Sequence, residues 1–276
     1  MMLPITVVIP VRNEEKNLPE CLRSLNHAFA HVLVVDSGST DATRTIAREA
    51  GARLLDFRWD GKFPKKRNWV LRNYTFETEW VFFLDADERV TPGFVEELHR
   101  VLPVTPHSGF WVTFRNWFMR KPVAHGDTMR KLALFRVGAG EYEKFDEDFW
   151  SNLDMEVHEH PVLTGTLGHL ATKLEHYDYR DLHHYIAKHN EYSTWEANRY
   201  AWLKKNAAEN WEQLTPRQRF KYKHLDKWWL GYLYFAVAYV AKFGFLDGRI
   251  GWTFNRLKMR YFQDVRLKIL ERQETR

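Results

Sequence analysis

The stretch Trp80-Val-Phe-Phe-Leu-Asp85-Ala-Asp87-Glu88 decides the fold class of this chain. Its apolar residues predict a strand that is buried on both faces, and this strand ends in two carboxylates with one small residue between them. In open α/β sheets, ligands bind beyond the carboxyl ends of the strands, and hard cations take carboxylate oxygens as ligands. Asp85 and Asp87 are therefore candidates for a divalent cation site, although an isolated Asp-x-Asp is more often a polar turn.

The residues before this stretch alternate between predicted strands and predicted helices. Apolar, β-branched runs at 5–10, 31–36 and 52–57 predict strands, and the segments between them predict helices. The pair Asn17 and Glu20 predicts a capping box at the start of the first helix. Because short connections join the alternating elements, we expect βαβ units and a parallel sheet, with the polar strand ends along one edge.

The lack of glycine-rich phosphate motifs excludes two common nucleotide folds. The sequence has neither G-x-G-x-x-G after the first strand nor G-x-x-x-x-G-K-[ST] anywhere. A bound diphosphate would instead be neutralised by a metal and by basic side chains. The candidates for direct contact are Arg12, Lys62, Lys65, Lys66 and Arg67. For the three lysines, a solvated surface is an equally good interpretation.

Several motifs together resemble the inverting family 2 glycosyltransferases of the GT-A fold. They are Val-Val-Ile-Pro-Val-Arg-Asn-Glu-Glu at 7–15, Val-Val-Asp-Ser-Gly-Ser-Thr-Asp at 34–41, Lys-Arg-Asn at 66–68 and Phe-Leu-Asp-Ala-Asp-Glu at 83–88. The chain is most similar to the branch that includes the lipopolysaccharide-core β-1,4-glucosyltransferases, with which it shares Trp-x-Gly-Lys-x-x-x-Lys-Arg-Asn at 59–68, Val-His-Glu at 157–159 and Gly-Phe-Leu-Asp-Gly at 244–248. The resemblance implies an α/β fold of the GT-A type: a Rossmann-like, mostly parallel sheet flanked by helices, with a C-terminal helical extension.

The resemblance also implies which residues bind the nucleotide-sugar. They would lie at the strand ends, and the implied members are Pro10, Arg12, Glu14, Asp36, Arg67 and Asp85. Asp36 would accept a hydrogen bond from the base, usually uracil, and Arg67 would lie beside the base or the diphosphate. For Glu14, a charge that favours the N-terminus of a helix is the alternative interpretation.

A metal site is implied by the same resemblance. Asp87 would bind Mn²⁺ or Mg²⁺ directly, and Asp85 would face both the ribose and the metal. His176 corresponds to a histidine that closes the metal site in many GT-A enzymes, and imidazole suits manganese as well as magnesium. An ordinary core or surface position is the alternative for His176.

Sugar transfer with inversion requires one carboxylate that takes the proton of the acceptor hydroxyl during in-line attack. In family 2 enzymes this base is an acid that follows the Asp-x-Asp by roughly seventy residues. The best-placed acids here are Glu156 and Glu159. We favour Glu159 because it lies in the Val-His-Glu segment, and Asp154 is a third, weaker candidate.

Length and composition indicate one domain with an appendage. The chain has 276 residues, and its single cysteine, Cys21, excludes a disulfide framework and suits a reducing cytoplasm. No basic region precedes the first apolar run, so we expect no signal peptide. We predict a GT-A domain at 1–179, with a nucleotide-sugar half at about 1–104 and an acceptor half at about 105–179, followed by a basic, aromatic-rich helical extension at 180–276.

The tail at 199–276 is strongly basic, with 17 Lys and Arg against 7 Asp and Glu. It contains fourteen consecutive uncharged residues, Trp228–Ala241, whereas a membrane-spanning helix needs roughly 20. A short apolar helix flanked by Trp, Tyr, Lys and Arg is typical of a membrane interface. We therefore predict peripheral contact with the inner face of the cytoplasmic membrane. A buried helix or a homo-oligomer interface is the alternative, and nucleic acid is not expected as a partner.

Together these features predict a metal-dependent inverting glycosyltransferase. It would move a sugar from a nucleotide donor, a UDP-sugar, to a glycan or lipid-linked acceptor in cell-envelope polysaccharide or lipopolysaccharide synthesis. One alternative is a retaining enzyme on the same fold. The other is a catalytically silent relative that binds nucleotide-sugars or acts as a scaffold, and the intact Asp-x-Asp counts against it.

Overall fold

The structure, a computed structural model, describes residues 2–144, 154–155, 160–206, 211 and 214–274. The chain divides into two compact units. Met1–Arg115 and Met129–Tyr177 form the first, which we call the α/β unit, and Asn116–Thr128 and Asp178–Arg276 form the second, which we call the helical unit. Each unit has its own cluster of buried apolar side chains.

Strands and helices alternate along the N-terminal part of the α/β unit, as predicted. The helices are α1 (Leu18–Leu25), α2 (Thr43–Glu49), α3 (Lys66–Asn73) and α4 (Pro92–Val101), and a 3₁₀ turn follows at Leu102–Val104. The strands are β1 (Leu3–Val11), β2 (Phe29–Asp36), β3 (Arg53–Asp56), β4 (Trp80–Phe83), β5 (Glu88–Arg89), β6 (Gly109–Phe118), β7 (Lys121–Val123), β8 (Met129–Arg136), β9 (Gly140–Tyr142), β10 (Pro161–Leu163), β11 (Leu167–His169) and β12 (Leu174–His176). β7 and the end of β6 belong to the helical unit, where they pair antiparallel.

The main sheet has the strand order β3-β2-β1-β4-β8-β6-β12-β5, with β11 beside β6. The strands β3, β2, β1 and β4 are parallel, whereas β8 runs antiparallel to β4 and β6. In the parallel part Val11 pairs with Asp36, and Asp36 pairs with Asp56, so the polar strand ends share one edge. A separate ribbon pairs β9 with β10. The predicted α/β fold is confirmed, and its sheet is mixed.

Apolar layers cover both faces of this sheet. β4 is buried along its whole length, which is the continuous apolar pattern of an interior parallel strand. Cys21 of α1 and Phe94 of α4 join one layer with Val7, and Val70 of α3 joins the other layer with Val8. Burial of one Val or Phe side chain stabilises the fold by about 1.5–3 kcal/mol. The well-packed strands therefore fix the positions at which their carboxyl-end loops begin.

The start of α1 differs from the prediction. Among the described residues, the Asn17 side chain accepts no hydrogen bond from the first turn, and Glu20 forms an ion pair with Arg23 instead. The Asn17 amide donates to Glu14 Oε2 at 2.8 Å, and the Leu18 N–H donates to the Glu14 carbonyl at 2.9 Å. The predicted capping box is wrong because the turn before the helix already uses these groups.

The helical unit contains α5 (Leu182–Lys205), α6 (Pro216–His224), α7 (Leu230–Phe235) and α8 (Gly248–Glu274), with a π-helical segment at Ala236–Ala241 and a 3₁₀ turn at Gly244–Asp247. α8 packs against α5 and α7, and Tyr222, Val265 and Ile269 lie in the core between helices. The predicted apolar run forms α7 and the π-helical segment. Within the part of the chain that the structure describes, no helix combines the length and the apolar character needed to cross a bilayer.

Candidate active site

The loops that follow β1 and β2 interlock at the carboxyl edge of the sheet. The Glu14 N–H donates to Thr43 Oγ1 at 2.7 Å, and the Asn13 N–H donates to Ser39 Oγ at 2.9 Å. The Thr40 N–H in turn donates to Asn13 Oδ1 at 2.8 Å. Asn13 has a φ of 57°, a left-handed conformation that asparagine tolerates better than most residues. The two loops therefore form one connected wall at this edge.

The other residues predicted to contact the nucleotide differ in their exposure. Pro10 lies within β1 and is buried, Arg12 is exposed, and Glu14 is half-buried. Of the lysines that precede α3, Lys62 is exposed and Lys65 is buried. The solvated-surface interpretation therefore fits Lys62 and is wrong for Lys65.

Asp36 ends β2 and is fully buried. Its carboxylate accepts hydrogen bonds from the Ser39 N–H at 3.1 Å, from the Ser39 hydroxyl and from the Arg44 guanidinium at 2.7 Å. Arg44 also pairs with Asp56, which lies opposite Asp36 in β3. The sequence analysis does not single out Arg44. Its signal is the pair of acids at adjacent strand ends, because like charges placed directly opposite need a cation between them.

Asp85 lies beyond the end of β4 between two cations. Arg67 Nη2 donates to Asp85 Oδ1 at 2.6 Å, and the ammonium of Lys131 donates to Asp85 Oδ2. Lys131 also contacts Glu88, whose fully buried carboxylate accepts from the Asp85 N–H at 2.9 Å. The structure thus brings the predicted Arg67 and Asp85 together. Lys131 and Glu88 are additional members, and Lys131 is hidden in the sequence because it comes from β8, whose pairing with β4 is not readable from either segment.

Burial and the two cations act in opposite directions on the acids of this cluster. Burial alone would raise the pKa of Asp85, but the charges of Lys131 and Arg67 outweigh it and hold that pKa well below its usual range. For Glu88, burial dominates and the neighbouring charges of Asp85 and Asp87 add to it, so its pKa is raised. Asp85 is therefore the ionised partner of the two cations.

Asp87 and His176 meet at the start of β5. His176 Nε2 lies 3.7 Å from Asp87 Oδ2. The antiparallel pairing of β5 with β12 sets His176 opposite Glu88, and the Tyr177 N–H donates to the Asp87 carbonyl at 2.8 Å. Asp85, Asp87 and Glu88 also offer oxygens that all lie within 4.8 Å of one another. Asp87 thus lies near both His176 and the other two acids. Carboxylates with one imidazole are a donor set that fits Mn²⁺ or Mg²⁺.

The first turn of α3 links the nucleotide edge to the segment that follows β9. The buried Lys66 donates from Nζ to the Val11 carbonyl at 3.1 Å and pairs with Asp154 Oδ2 at 3.3 Å. The side-chain amide of Asn68 exchanges two hydrogen bonds with the Tyr142 backbone, at 3.0 and 2.8 Å. The solvated-surface interpretation is therefore wrong for Lys66, whose ammonium is held inside the protein.

The acids considered as the catalytic base fall mostly outside the described residues. Glu156 and Glu159 both lie there. Asp154 is described, and besides its ion pair its carbonyl accepts from the Lys66 N–H at 2.9 Å. Burial lowers the pKa of Lys66, and the Asp154 charge partly offsets that effect. Both the side chain and the carbonyl of Asp154 are engaged with Lys66, so these contacts suit a structural role for Asp154.

Comparison with known proteins identifies the family. A family model described as glycosyl transferase family 2 matches residues 6–154. Over 208 residues the chain is 30% identical to the lipopolysaccharide core biosynthesis glycosyltransferase LpsC of Rhizobium meliloti, and the match covers 71% of each protein. A second match, 36% identical over 92 residues, is to 4,4′-diaponeurosporenoate glycosyltransferase of Staphylococcus haemolyticus. The chain belongs to glycosyl transferase family 2.

The protein is accordingly a glycosyltransferase, and the predicted GT-A type of α/β fold with a helical C-terminal region is confirmed. The second match covers 30% of this chain and 24% of the staphylococcal protein. A solved structure of glucosyl-3-phosphoglycerate synthase from Mycobacterium tuberculosis, in complex with Mn²⁺, UDP and glucosyl-3-phosphoglycerate, matches 42% of this chain and 45% of that one at 29% identity. The TM-score of this match is 0.33.

Proposed function

We propose that the chain is a metal-dependent, inverting hexosyltransferase. It moves a sugar from a nucleotide donor, a UDP-sugar, to a glycan or lipid-linked acceptor in cell-envelope polysaccharide or lipopolysaccharide synthesis. The observation that carries the proposal is the approach of Asp87 to His176 at 3.7 Å, beside Asp85, where the parallel strands end. The relative LpsC, whose match covers 71% of each protein, is named for lipopolysaccharide core biosynthesis, and this supports an acceptor of the cell envelope.

In this proposal the metal-binding residues are Asp87, Asp85 and His176. A cation held there would stabilise the charge that develops on the departing nucleoside diphosphate. Arg67 Nη2 lies 2.6 Å from Asp85 Oδ1, so the guanidinium is oriented toward the proposed metal-binding residues. Because a guanidinium binds phosphate through directed, charge-assisted hydrogen bonds, we assign Arg67 to the diphosphate.

The remaining donor contacts lie on the connected wall formed by the first two loops. We assign Pro10, Arg12 and Glu14 to the nucleotide loop, and Asp36 to the base. An ionised carboxylate offers about four acceptor positions. The Ser39 N–H contacts both Asp36 oxygens, and the Ser39 hydroxyl and the Arg44 guanidinium each donate to one of them, so a base would take the place of one of these donors.

The catalytic base is proposed to be Glu159, with Glu156 as the alternative. Glu159→Gln should lower the rate constant of transfer with little effect on donor affinity, because the base contacts the acceptor proton in the transition state. Glu156→Gln should have a milder effect. The reverse ranking would reassign the base to Glu156, and near-normal rates in both variants would discard this segment.

We further propose that residues 1–179 form the catalytic domain and that the extension at 180–276 contacts the membrane peripherally. Large apolar side chains are exposed along the helical unit, among them Trp228, Tyr232, Val240, Phe243, Leu246 and Trp252. An apolar surface of this kind, in a segment with an excess of Lys and Arg, suits the interface of an anionic bilayer. A homo-oligomer interface is the alternative.

Release of nucleoside diphosphate across a panel of sugar donors tests the proposed function. We expect release with a UDP-sugar, dependent on Mn²⁺ or Mg²⁺ and increased by a membrane extract that supplies the acceptor. NMR of the product should show inversion at the anomeric carbon, and retention would support the retaining alternative. No release with any donor, despite nucleotide binding, would support the catalytically silent alternative.

A further inference from the structure

We propose that Lys131 is a positioning residue that couples cation binding to nucleotide binding in the donor site. Its ammonium holds Asp85 and Glu88 until the diphosphate of a nucleotide offers a competing acceptor. When Lys131 turns to the diphosphate, Asp85 Oδ2 is released to the cation. The inference rests on the proposed function, because it requires Asp87 and its neighbours to bind a cation beside a diphosphate.

The sheet itself brings Lys131 to the donor site. Phe82 of β4 pairs with Leu134 of β8 in antiparallel register. Three positions further along each strand, residue 131 therefore comes level with residue 85, just beyond the end of β4. Strand register is set over the whole pair of strands, so β8 carries Lys131 to this edge of the sheet, where the loop that follows β4 places Asp85.

Two acidic side chains and one aromatic ring surround the Lys131 ammonium, and part of the side chain faces solvent. Lys131 Nζ contacts Asp85 Oδ2 and Glu88 Oε1 and lies 5.3 Å from the centre of the Phe114 ring. The same ring packs edge-on against His176, with the ring centres 6.3 Å apart. The Lys131 side chain is nevertheless 30% exposed. A lysine on a flexible four-carbon stem can thus exchange one anion for another without repacking the core.

The charges around Asp85 explain why movement of Lys131 would affect cation binding. The site contains three acidic side chains, Asp85, Asp87 and Glu88, and two cations, Arg67 and Lys131, contact Asp85. While Lys131 occupies Asp85 Oδ2, an incoming divalent ion must compete with it for that oxygen. A diphosphate that draws Lys131 away removes the competitor. By linkage, the cation then favours nucleotide binding by the same factor.

Binding of Mn²⁺ and UDP to the full chain tests this coupling. Mn²⁺ binding is followed by electron paramagnetic resonance of the free ion, and UDP binding by calorimetry, each with and without the other ligand. In the wild type we expect each ligand to tighten the binding of the other. Lys131→Met should tighten Mn²⁺ binding without UDP by about tenfold, a usual size of coupling between sites, and should reduce the cooperativity by a similar factor.

Three further variants make the outcome decisive. Lys131→Arg keeps the positive charge and should retain most of the cooperativity, and Lys173→Met, at an exposed lysine of the same unit, should match the wild type. If Lys131→Met is too unstable in thermal melting, the double variant Lys131→Met/Glu88→Gln removes the ammonium together with its second acceptor and should show the same loss of cooperativity.

Two results would overturn the role of Lys131. They are weaker Mn²⁺ binding by Lys131→Met in the absence of UDP, and cooperativity equal to that of the wild type. Either result, with a wild type that binds both ligands and transfers sugar, leaves the proposed function standing. A wild type that binds neither Mn²⁺ nor UDP would instead overturn the metal-dependent function and this inference together.

Discussion

The α/β unit and the helical unit depart from the usual distribution of side chains in opposite ways. In the α/β unit ionisable side chains are taken out of water, among them Asp36, Lys66, Arg67 and Glu88. In the helical unit large apolar side chains remain in water, concentrated between residues 228 and 252. Buried charges and exposed apolar patches both cost free energy unless something compensates them. The first unit is therefore suited to a charged ligand, and the second to an apolar partner.

The helical unit buries charges as well, but in a different setting. Glu196 and Arg199 of α5 are buried, and Lys221 pairs with Glu196 at 2.9 Å. These groups lie on helix faces that pack together with Tyr222 and Tyr261. In the α/β unit the buried charges follow strand ends, at the edge where α/β sheets bind ligands. Position, and not burial alone, separates the two sets.

We expect the largest effect from a substitution at the proposed metal site of the α/β unit. Asp87→Asn keeps the shape of the side chain but removes the charge that would hold the cation. We expect sugar transfer to fall by about 100-fold or more, since a catalytic cation supplies several kcal/mol of charge stabilisation. EDTA should do the same to the wild type. Nucleoside diphosphate release measures the rate, and circular dichroism checks the fold.

A matched change in the other unit serves as the control for Asp87→Asn. Asp264→Asn removes a carboxylate of α8, within the helical unit, and should leave turnover unchanged. Wild-type activity that survives excess EDTA would remove the metal from the proposed function.

A second prediction concerns the exposed apolar side chains of the helical unit. Trp228, Tyr232 and Phe243 are each more than half exposed, and we expect their joint replacement by Ser to release the protein from anionic liposomes. The donor-dependent release of nucleoside diphosphate should persist. Raised salt should weaken binding of the wild type without abolishing it, because each basic residue near the surface contributes only about 1 kcal/mol. Liposome sedimentation measures both effects.

The control for the aromatic variant comes from the α/β unit. Exposed apolar residues there are replaced by Ser at Val104, Val162 and Leu167. This variant should still sediment with liposomes. If the wild type ignores liposomes and the aromatic variant changes mass in light scattering, the exposed surface is an oligomer interface instead.

The smallest effect concerns the stability of the helical unit. His189 stacks on Tyr185. Burial and the nearby Lys258 lower the pKa of His189 to about 4, so its imidazole stays neutral at neutral pH. The unfolded chain takes up that proton near pH 6.5, so this contribution to stability is present above pH 6.5 and is lost as the pH falls toward 4. We expect a loss of about 2 kcal/mol at pH 5 relative to pH 7.

Denaturant unfolding of the wild type and of His189→Gln measures this loss. The variant cannot take up a proton at this position and should lose correspondingly less stability between pH 7 and pH 5. Equal losses in the two proteins would mean that His189 carries no pH dependence.

Much of the α/β unit is predictable because its signals are local. The apolar runs that become β1, β2 and β4 each end in polar residues, and parallel strands joined by helices bring such ends to one edge. The predicted metal residues Asp87 and His176 also come together. The predicted capping box at Asn17 is wrong because the turn before α1 already uses these groups, and contacts with the loop after β2 hold that turn. Arg44 of α2 and Lys131 of β8 are not predicted because their acidic partners lie at the ends of strands to which neither residue belongs.

Residue pattern alone determined the alternation of strands and helices, the polar strand ends, the family and the basic, aromatic character of the tail. These features depend on neighbours in the chain, and short-range preference and periodicity encode them. Tertiary structure alone decided that Lys131 and Arg67 share Asp85, that Lys66 is buried against Asp154, and that Trp228, Tyr232 and Phe243 of the tail remain exposed. Such contacts depend on which strands and helices pair and in which register, and burial over a whole surface sets that choice.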